Sequence, residues 1–272
     1  MSIHPLSLSS LLTFFLTIST LPHPSAPSTQ SFLYGGCSQQ KYGQGTTYES
    51  NVNSLLTSVV NSASSSNFNE FKISVPGSTQ ADIVYGLYQC RGDLLSPDCH
   101  SCVARAVSQL GPLCPDAAGA GLQLEGCFVK YDSAAFLGVE DKTMVYKKCG
   151  PSIGYESDGL TRRDSVIDYL AAGGQYFRVG GSGQVQGMVQ CVQDLSMSEC
   201  QDCLSEAIGR LKTECGSAAW GDVFMGKCYA RYSERGVYST GGEGIGYGRQ
   251  HRWWFLVSGF VMLYLIEVHG NL

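Results

Sequence analysis

Charge is what this chain has little of. Asp, Glu, Lys and Arg together make up 15% of its 272 residues, and the first thirty residues contain none of them. The net charge of −5 also leaves no basic excess of the kind a phosphate-binding surface needs, so nucleic acid is not an expected partner. Low charge with 43% hydrophobic residues excludes a disordered chain, and the 33 glycines follow no collagen-like period. Histidine is scarce. Of five, His4 and His23 precede the folded part and His251 and His269 lie near the C-terminus, which leaves His100. There is no Asn-x-Ser/Thr sequon, so N-glycosylation marks no surface loop. No uncharged apolar run reaches the roughly 18 residues of an ordinary membrane span.

The ends are apolar, each in its own way. Leu11 to Leu21 is an apolar run closed by Pro22, Pro24 and Pro27, with Ala26 and Ser28 as small residues before a cut. Residues 1–28 therefore read as a secretory signal and are set aside from the fold. At the other end, Trp253 to Ile266 is an uncharged run of 14 residues, about 21 Å as a helix against a bilayer core of about 30 Å. With Glu267 and Val268 drawn in, residues 253–268 form a short apolar segment and a candidate membrane anchor. Arg249 and Arg252 precede it and no Lys or Arg follows, against the positive-inside tendency for an exported N-terminus. Three readings are open: a marginal anchor, a discarded lipid-anchor signal with its attachment among Ser239 to Gly242, or an end that anchors nothing.

What the chain does have is cysteine in a repeat. Cysteines 90, 99, 102, 114 and 127 recur as 191, 200, 203, 215 and 228, each 101 residues later, and Cys37 and Cys149 precede the two sets. The chain after the signal thus divides into two six-cysteine modules, residues 30–136 and 141–240. Each reads as α+β. Val52, Leu55, Leu56, Val59, Val60 and Ala63 fall at helical spacing, and the second copy repeats this more weakly through Val166, Tyr169 and Leu170 before Gly173 and Gly174. Ile83, Tyr85 and Leu87 alternate as a strand before Cys90, and Val185 to Val189 lead into Cys191. Pro97 to Leu110 and Ser198 to Leu211 read as second helices, the first capped by Ser96 and the second by a Ser198/Gln201 box. Later strands fall within residues 122–132 and 223–233. The expected packing is two helices on an antiparallel sheet in each module.

The Cys99/Cys102 and Cys200/Cys203 pairs admit three chemistries: zinc ligands, redox thiols at a helix start, or framework disulfides. The framework reading is favoured, because an exported chain with an even cysteine count oxidises by default. Six cysteines allow 15 pairings, and spacing does not choose among them. Catalysis would rest on His100 alone, which stands between two cysteines where the second copy has Gln201, and it reads as a solvent-facing helix residue. No carboxylate pair stands out by position, and the glycine-rich stretches at 171–174 and 179–183 lack the lysine of a phosphate loop. No catalytic, cofactor or metal residue is assigned and no cofactor is expected; the chain reads as a non-enzyme. Tyr131 and Tyr232 occupy matching places in the repeat, which points to a structural role.

The tandem C-x8-C-x2-C pattern resembles the plant Gnk2-homologous (DUF26) modules. The segments FLYGGCSQQKYGQGTTYESNVNSLLTSVVNSA, CRGDLLSPDCHSCVARAVSQLGPLCP and GGSGQVQGMVQCVQDLSMSECQDCLSEAIGRLKTEC are similar to the plasmodesmata-located protein family, over about residues 32 to 238. The resemblance implies the pairings Cys37–Cys114, Cys90–Cys99 and Cys102–Cys127, and Cys149–Cys215, Cys191–Cys200 and Cys203–Cys228. It also implies a non-enzymatic ectodomain, exported to the plasma membrane at plasmodesmata, that regulates cell-to-cell traffic through protein or cell-wall carbohydrate partners. Homo- or hetero-association, and membrane association through Trp253 to Val268, belong to the same expectation. The chain departs from the family after about Gly246, where the short run replaces a longer helix and basic tail. The alternative is a soluble, apoplastic, lectin-like or antifungal protein of the Gnk2 type; a receptor-type ectodomain relative is a third reading. A mannose-binding member of the wider family uses an Asn directly after the first cysteine. Here Ser38 and Gly150 stand there, so no ligand-binding residue is carried over.

The framework reading has a direct consequence. Thiol titration of the denatured, unreduced protein is expected to find no free cysteine and, after reduction, twelve; any pair titrating before reduction would return the CxxC motifs to redox or metal chemistry.

Overall fold

The computed structural model describes residues 29–77, 79–154 and 158–234. The signal reading of 1–28 and the anchor reading of 253–268 lie outside the described residues. Among those described, no helix is long and apolar enough to cross a membrane.

The first module runs β1 (Phe32–Cys37), α1 (Thr47–Ser62), β2 (Phe68–Ile73), β3 (Val84–Cys90), α2 (Ser96–Leu113), β4 (Gly119–Leu124) and β5 (Cys127–Asp132). The second repeats it as β6 (Met144–Cys149), α3 (Asp158–Ala171), β7 (Phe177–Ser182), β8 (Val185–Cys191), α4 (Met197–Glu214), β9 (Trp220–Met225) and β10 (Cys228–Glu234). The five strands of each module form one antiparallel sheet, in the orders β1-β4-β5-β3-β2 and β6-β9-β10-β8-β7. The strands expected within residues 122–132 and 223–233 are the arms of tight hairpins, turning at Glu125–Gly126 and Gly226–Lys227.

Two helices cover one face of each sheet. In α1, Tyr48, Val52, Leu55 and Val59 are buried at helical spacing, and Thr46 caps the helix by accepting from the Glu49 amide. In α3 the buried stripe is Leu160, Arg163, Val166, Ile167 and Leu170. Tyr169, which the spacing places in that stripe, instead points outward and is 64% exposed. One residue of helical rotation, about 100°, separates the two positions.

The second helix of each module carries the cross-links. Cys99, Cys102 and Cys114, on or just after α2, bridge to Cys90 at the end of β3, Cys127 at the start of β5 and Cys37 at the end of β1. Cys200, Cys203 and Cys215 bridge in the same way to Cys191, Cys228 and Cys149. A helix presents residues three apart on neighbouring faces, so one turn of α2 reaches two different strands. Each bridge closes a loop and contributes about 2–4 kcal/mol, chiefly by restricting the unfolded chain.

The helix starts differ from the sequence expectation. Helix α2 begins one residue earlier than its serine cap requires: Leu95 is the N-cap, makes no side-chain cap bond and is 73% exposed, while Ser96 and Pro97 fall in the first turn. In α4 the capping box is Ser196 with Glu199 rather than Ser198 with Gln201; each side chain bonds the other's backbone amide. Leu95 already has the extended backbone of a cap (φ −78°, ψ 157°), so a serine fits without rearrangement. Leu95→Ser is expected to stabilise the protein by about 1 kcal/mol, seen as a melting temperature higher by about 2–4 °C. Ser196→Ala should lower it by a similar amount in the same thermal scan.

Candidate functional site

The two sheets turn their helix-free faces toward each other. This explains why β3 is buried along its whole length although its sequence alternates: Gly86 and Tyr88 face the helices, while Leu87 and Gln89 face the second module. At the centre of the contact is Arg231 of β10, 5% exposed. Its guanidinium forks onto Glu125 of the first module at 2.6 and 3.1 Å, and donates to Asp222 on β9 at 2.7 and 3.2 Å. Burial pulls the Arg231 pKa down, but the charges of Asp222 and Glu125 more than offset it, and the net shift is well upward. The ring of Phe224 lies under the same cation, 5.3 Å away.

Around this cluster the packing is aromatic and amide-rich. Tyr34 and Tyr146, each three residues before the first cysteine of its module, stack at 5.7 Å between centroids, and Phe224 meets both rings edge-on. Equivalent residues touching each other is the mark of an isologous, two-fold-like contact. Gln190 donates to the Cys90 carbonyl at 2.9 Å, and Gln89 accepts from the Gln193 amide at 3.1 Å. Burial raises the pKa of both Tyr34 and Tyr229 here. The segment joining the modules is clasped as well: Lys227 pairs with Asp194 and donates to the Phe136 carbonyl at 3.0 Å, while Gly138 donates to Asp194. The cavity left at this seam is about 30 Å³, the space of a water rather than a sugar.

The sites singled out in the sequence are placed as follows. All twelve cysteines are in disulfides, and among the described residues no group of His, Cys, Asp and Glu is arranged to hold a metal. His100 is half-buried on α2 rather than turned to solvent, and Gln201, its counterpart, donates to the Ala171 carbonyl. Tyr131 and Tyr232 are buried and donate to the matching carbonyls of Ala117 and Ala218. Burial, with the nearby charges of Tyr42, Asp132 and Asp116, pushes Tyr131 up to about 12. Ser38 is occupied locally: it accepts from the Gly119 amide and donates to the Gln40 carbonyl. Gly150 is closed by the Trp220 indole, since a Cβ there would sit 2.3 Å from its Nε1. Neither position is free to serve as the Asn does in the sugar-binding relative.

One concave surface escaped the sequence reading. Between α3 and the edge strand β7 runs a trough of about 490 Å³, lined by Ser165, Val166, Tyr169, Gly180, Gly181 and Ser182 among others. Two glycines on the strand and one aromatic on the helix were the available signal, but Tyr169 was counted with the core.

Comparison with known proteins follows this geometry. The salt stress response/antifungal family matches residues 36–134 and 155–235, one match in each module. Plasmodesmata-located protein 7 of Arabidopsis thaliana is 60% identical over 226 residues, covering 82% of this chain and 75% of the relative. The crystal structure of the tandem DUF26 ectodomain of the cysteine-rich receptor-like protein PDLP5 of Arabidopsis thaliana superposes with a TM-score of 0.71 at 46% identity. It covers 75% of this chain and 99% of that one. An antimicrobial ginkbilobin-2-like protein of Castanea crenata is 30% identical over 211 residues, 74% of this chain and 86% of the relative.

The Arg231 cluster is expected to hold the modules together. Arg231→Ala leaves two buried carboxylates without a counter-charge and should cost about 3–5 kcal/mol. Glu125→Gln, which leaves Asp222 to balance Arg231, should cost less. Denaturant unfolding without reductant is the measurement, and the Arg231 variant should separate one transition into two.

Proposed function

Because the chain belongs to the plasmodesmata-located protein family, within the salt stress response/antifungal group, we propose that it is a non-enzymatic, exported ectodomain protein regulating cell-to-cell traffic at plasmodesmata. The observation that supports this most directly is the 60% identity to plasmodesmata-located protein 7 across both modules, on a framework whose cysteines are all committed to bridges. Such a chain acts by binding. Its two modules, joined through Arg231 and Glu125, present their helix layers and sheet edges outward as one body, and these are the surfaces available to wall or membrane partners. In this reading residues 1–28 are the export signal, 30–136 and 141–240 the two modules, and 253–268 a short apolar segment near the membrane. The twelve cysteines are framework residues.

The resemblance to the antimicrobial ginkbilobin-2-like protein supports the second reading, a soluble lectin-like protein of the apoplast. The closed positions at Ser38 and Gly150 count against it.

Location distinguishes the two. With a fluorescent protein inserted between Gly241 and Gly242, upstream of the apolar segment, the expected signal in plasmolysed plant cells is wall-retained puncta coinciding with callose. A diffuse signal in the extracellular fluid would overturn the plasmodesmal reading in favour of the soluble one.

A further inference from the structure

The internal repeat supplies its own comparison for every surface of the molecule. In β2, Phe71 pairs with Gly86; in β7, Gly180 pairs with Gly187, the residue equivalent to Gly86. Phe71 and Gly180 therefore occupy the same place. In the first module Phe71 stacks on Tyr88, 6.5 Å between centroids, and fills the gap between helix and edge strand. In the second module Gly180 has no side chain to fill it, and the ring of Tyr169 leans over the strand instead. The next position changes from Lys72 to Gly181, and Asn69 is replaced by Arg178. The trough between α3 and β7 thus has a glycine floor where the first module has a phenylalanine.

Its lining and immediate surroundings are chemically specific. The ring of Tyr169, 64% exposed, lies over the glycine strand, and a Cβ at Gly180 would come within 2.7 Å of its Cδ1. Arg162, two turns before Tyr169 on the same helix face, lays its stem against the hairpin turn at Gly183, where a Cβ would meet its Cδ at 2.7 Å. Its Nε finds no partner, and among the described residues it makes no ion pair. At the other end, beyond the end of α3, Arg178 is 7% exposed. Its Nη1 donates to the carbonyls of Gly173 and Gln175, but Nε and Nη2 are buried without a partner. The carboxylates nearby on α3 are already neutralised, Asp164 by Arg163 and Asp168 by Lys212. The trough itself is lined by the exposed Tyr169 ring, a glycine floor and the hydroxyl-bearing Ser165 and Ser182, and two guanidiniums with buried, unpartnered N–H groups lie beside it on the same helix and strand.

We propose that this trough binds an acidic oligosaccharide, a run of uronate sugars. A flat aromatic face beside glycine suits the apolar face of a pyranose ring. A guanidinium suits a carboxylate, to which it donates two parallel hydrogen bonds. An acidic peptide would use the arginines but not the ring and floor; a neutral glycan would use the ring and leave the arginines unpaired. The volume of about 490 Å³ is in the range of small-molecule sites. The proposal rests on the exported placement of the protein for its biological setting, but the binding itself does not depend on location.

The test is calorimetric titration of the purified secreted protein with three probes: unesterified oligogalacturonate, its methyl-esterified form, and polyglutamate of similar charge. The first is expected to bind, and the other two at least about tenfold more weakly. Tyr169→Ala, on the solvent side of α3, and Arg162→Ala, beside the hairpin turn, should each lower the affinity about tenfold. Gly180→Phe, which rebuilds the first module's residue, should abolish binding. No binding of unesterified oligogalacturonate, equal binding of polyglutamate or of the esterified form, or full binding by Tyr169→Ala would overturn the proposal. Tyr169→Ala removes no core contact and keeps the test decisive if Gly180→Phe fails to fold. Wall-retained puncta formed by the Gly180→Phe or Tyr169→Ala protein would separate this site from the plasmodesmal reading, since either can then fail without the other.

Discussion

Everything in this structure is referred to one helix per module, the one bound by three disulfides. Helix α2, with its C-terminal Cys114, is tied to β1, β3 and β5, and α4 with Cys215 to β6, β8 and β10. Three of the five strands of each sheet are thereby fixed to a single rod. The other two strands inherit their places through backbone pairing, β4 between β1 and β5, and β2 on β3. Two modules of this size have modest cores, and covalent closure takes over much of the loop entropy that a larger core would otherwise have to offset. The consequence is freedom elsewhere: helix caps as poor as Leu95 and glycine-rich edges such as β7 are tolerated because the framework does not depend on them.

The second constraint is the charge cluster at the seam. A buried arginine shared between two carboxylates is weak evidence of stability by itself, since its desolvation is costly. It favours one docking over others, because any other arrangement of the two sheets would bury Glu125 without its cation and leave Arg231 with Asp222 alone. The asymmetry is informative here. Lys130 stands in the first module where Arg231 stands in the second, and Gly121 where Asp222 stands. The stacked pair Tyr34 and Tyr146 keeps the two-fold character of the contact, while the ion cluster breaks it and fixes one arrangement.

The same division between conserved frame and diverged surface runs through the functional reading. Positions that serve the fold agree between copies: twelve cysteines in matching bridges, and Tyr131 and Tyr232 on matching carbonyls. Positions on the edge strands do not. Phe71 becomes Gly180, Asn69 becomes Arg178, and an edge carrying Gly35 beside Leu113 corresponds to the ion pair of Lys147 with Glu214. A duplicated module whose two copies carry different side chains at matching places presents two chemically distinct surfaces on one framework.

The amino-acid sequence determined the modules, their repeat and the general positions of the elements, because cysteine spacing, helical periodicity and alternation are local and survive reading in one dimension. Four things were decided only in the tertiary structure. Residue Tyr169 left the core because the turn-by-turn phase of α3 is set by packing on β7 and β8. Strand β3 became buried on both faces because a second sheet covers the side away from the helices. Glu125 met Arg231 across 106 residues of chain, a separation at which neither residue's neighbours carry a trace of the other. The trough exists because two registers, β2 on β3 and β7 on β8, place a phenylalanine and a glycine at the same point. Local preference writes the elements; which of their faces meet is decided by packing and charge between segments far apart in the chain, and that is where the seam and the trough are made.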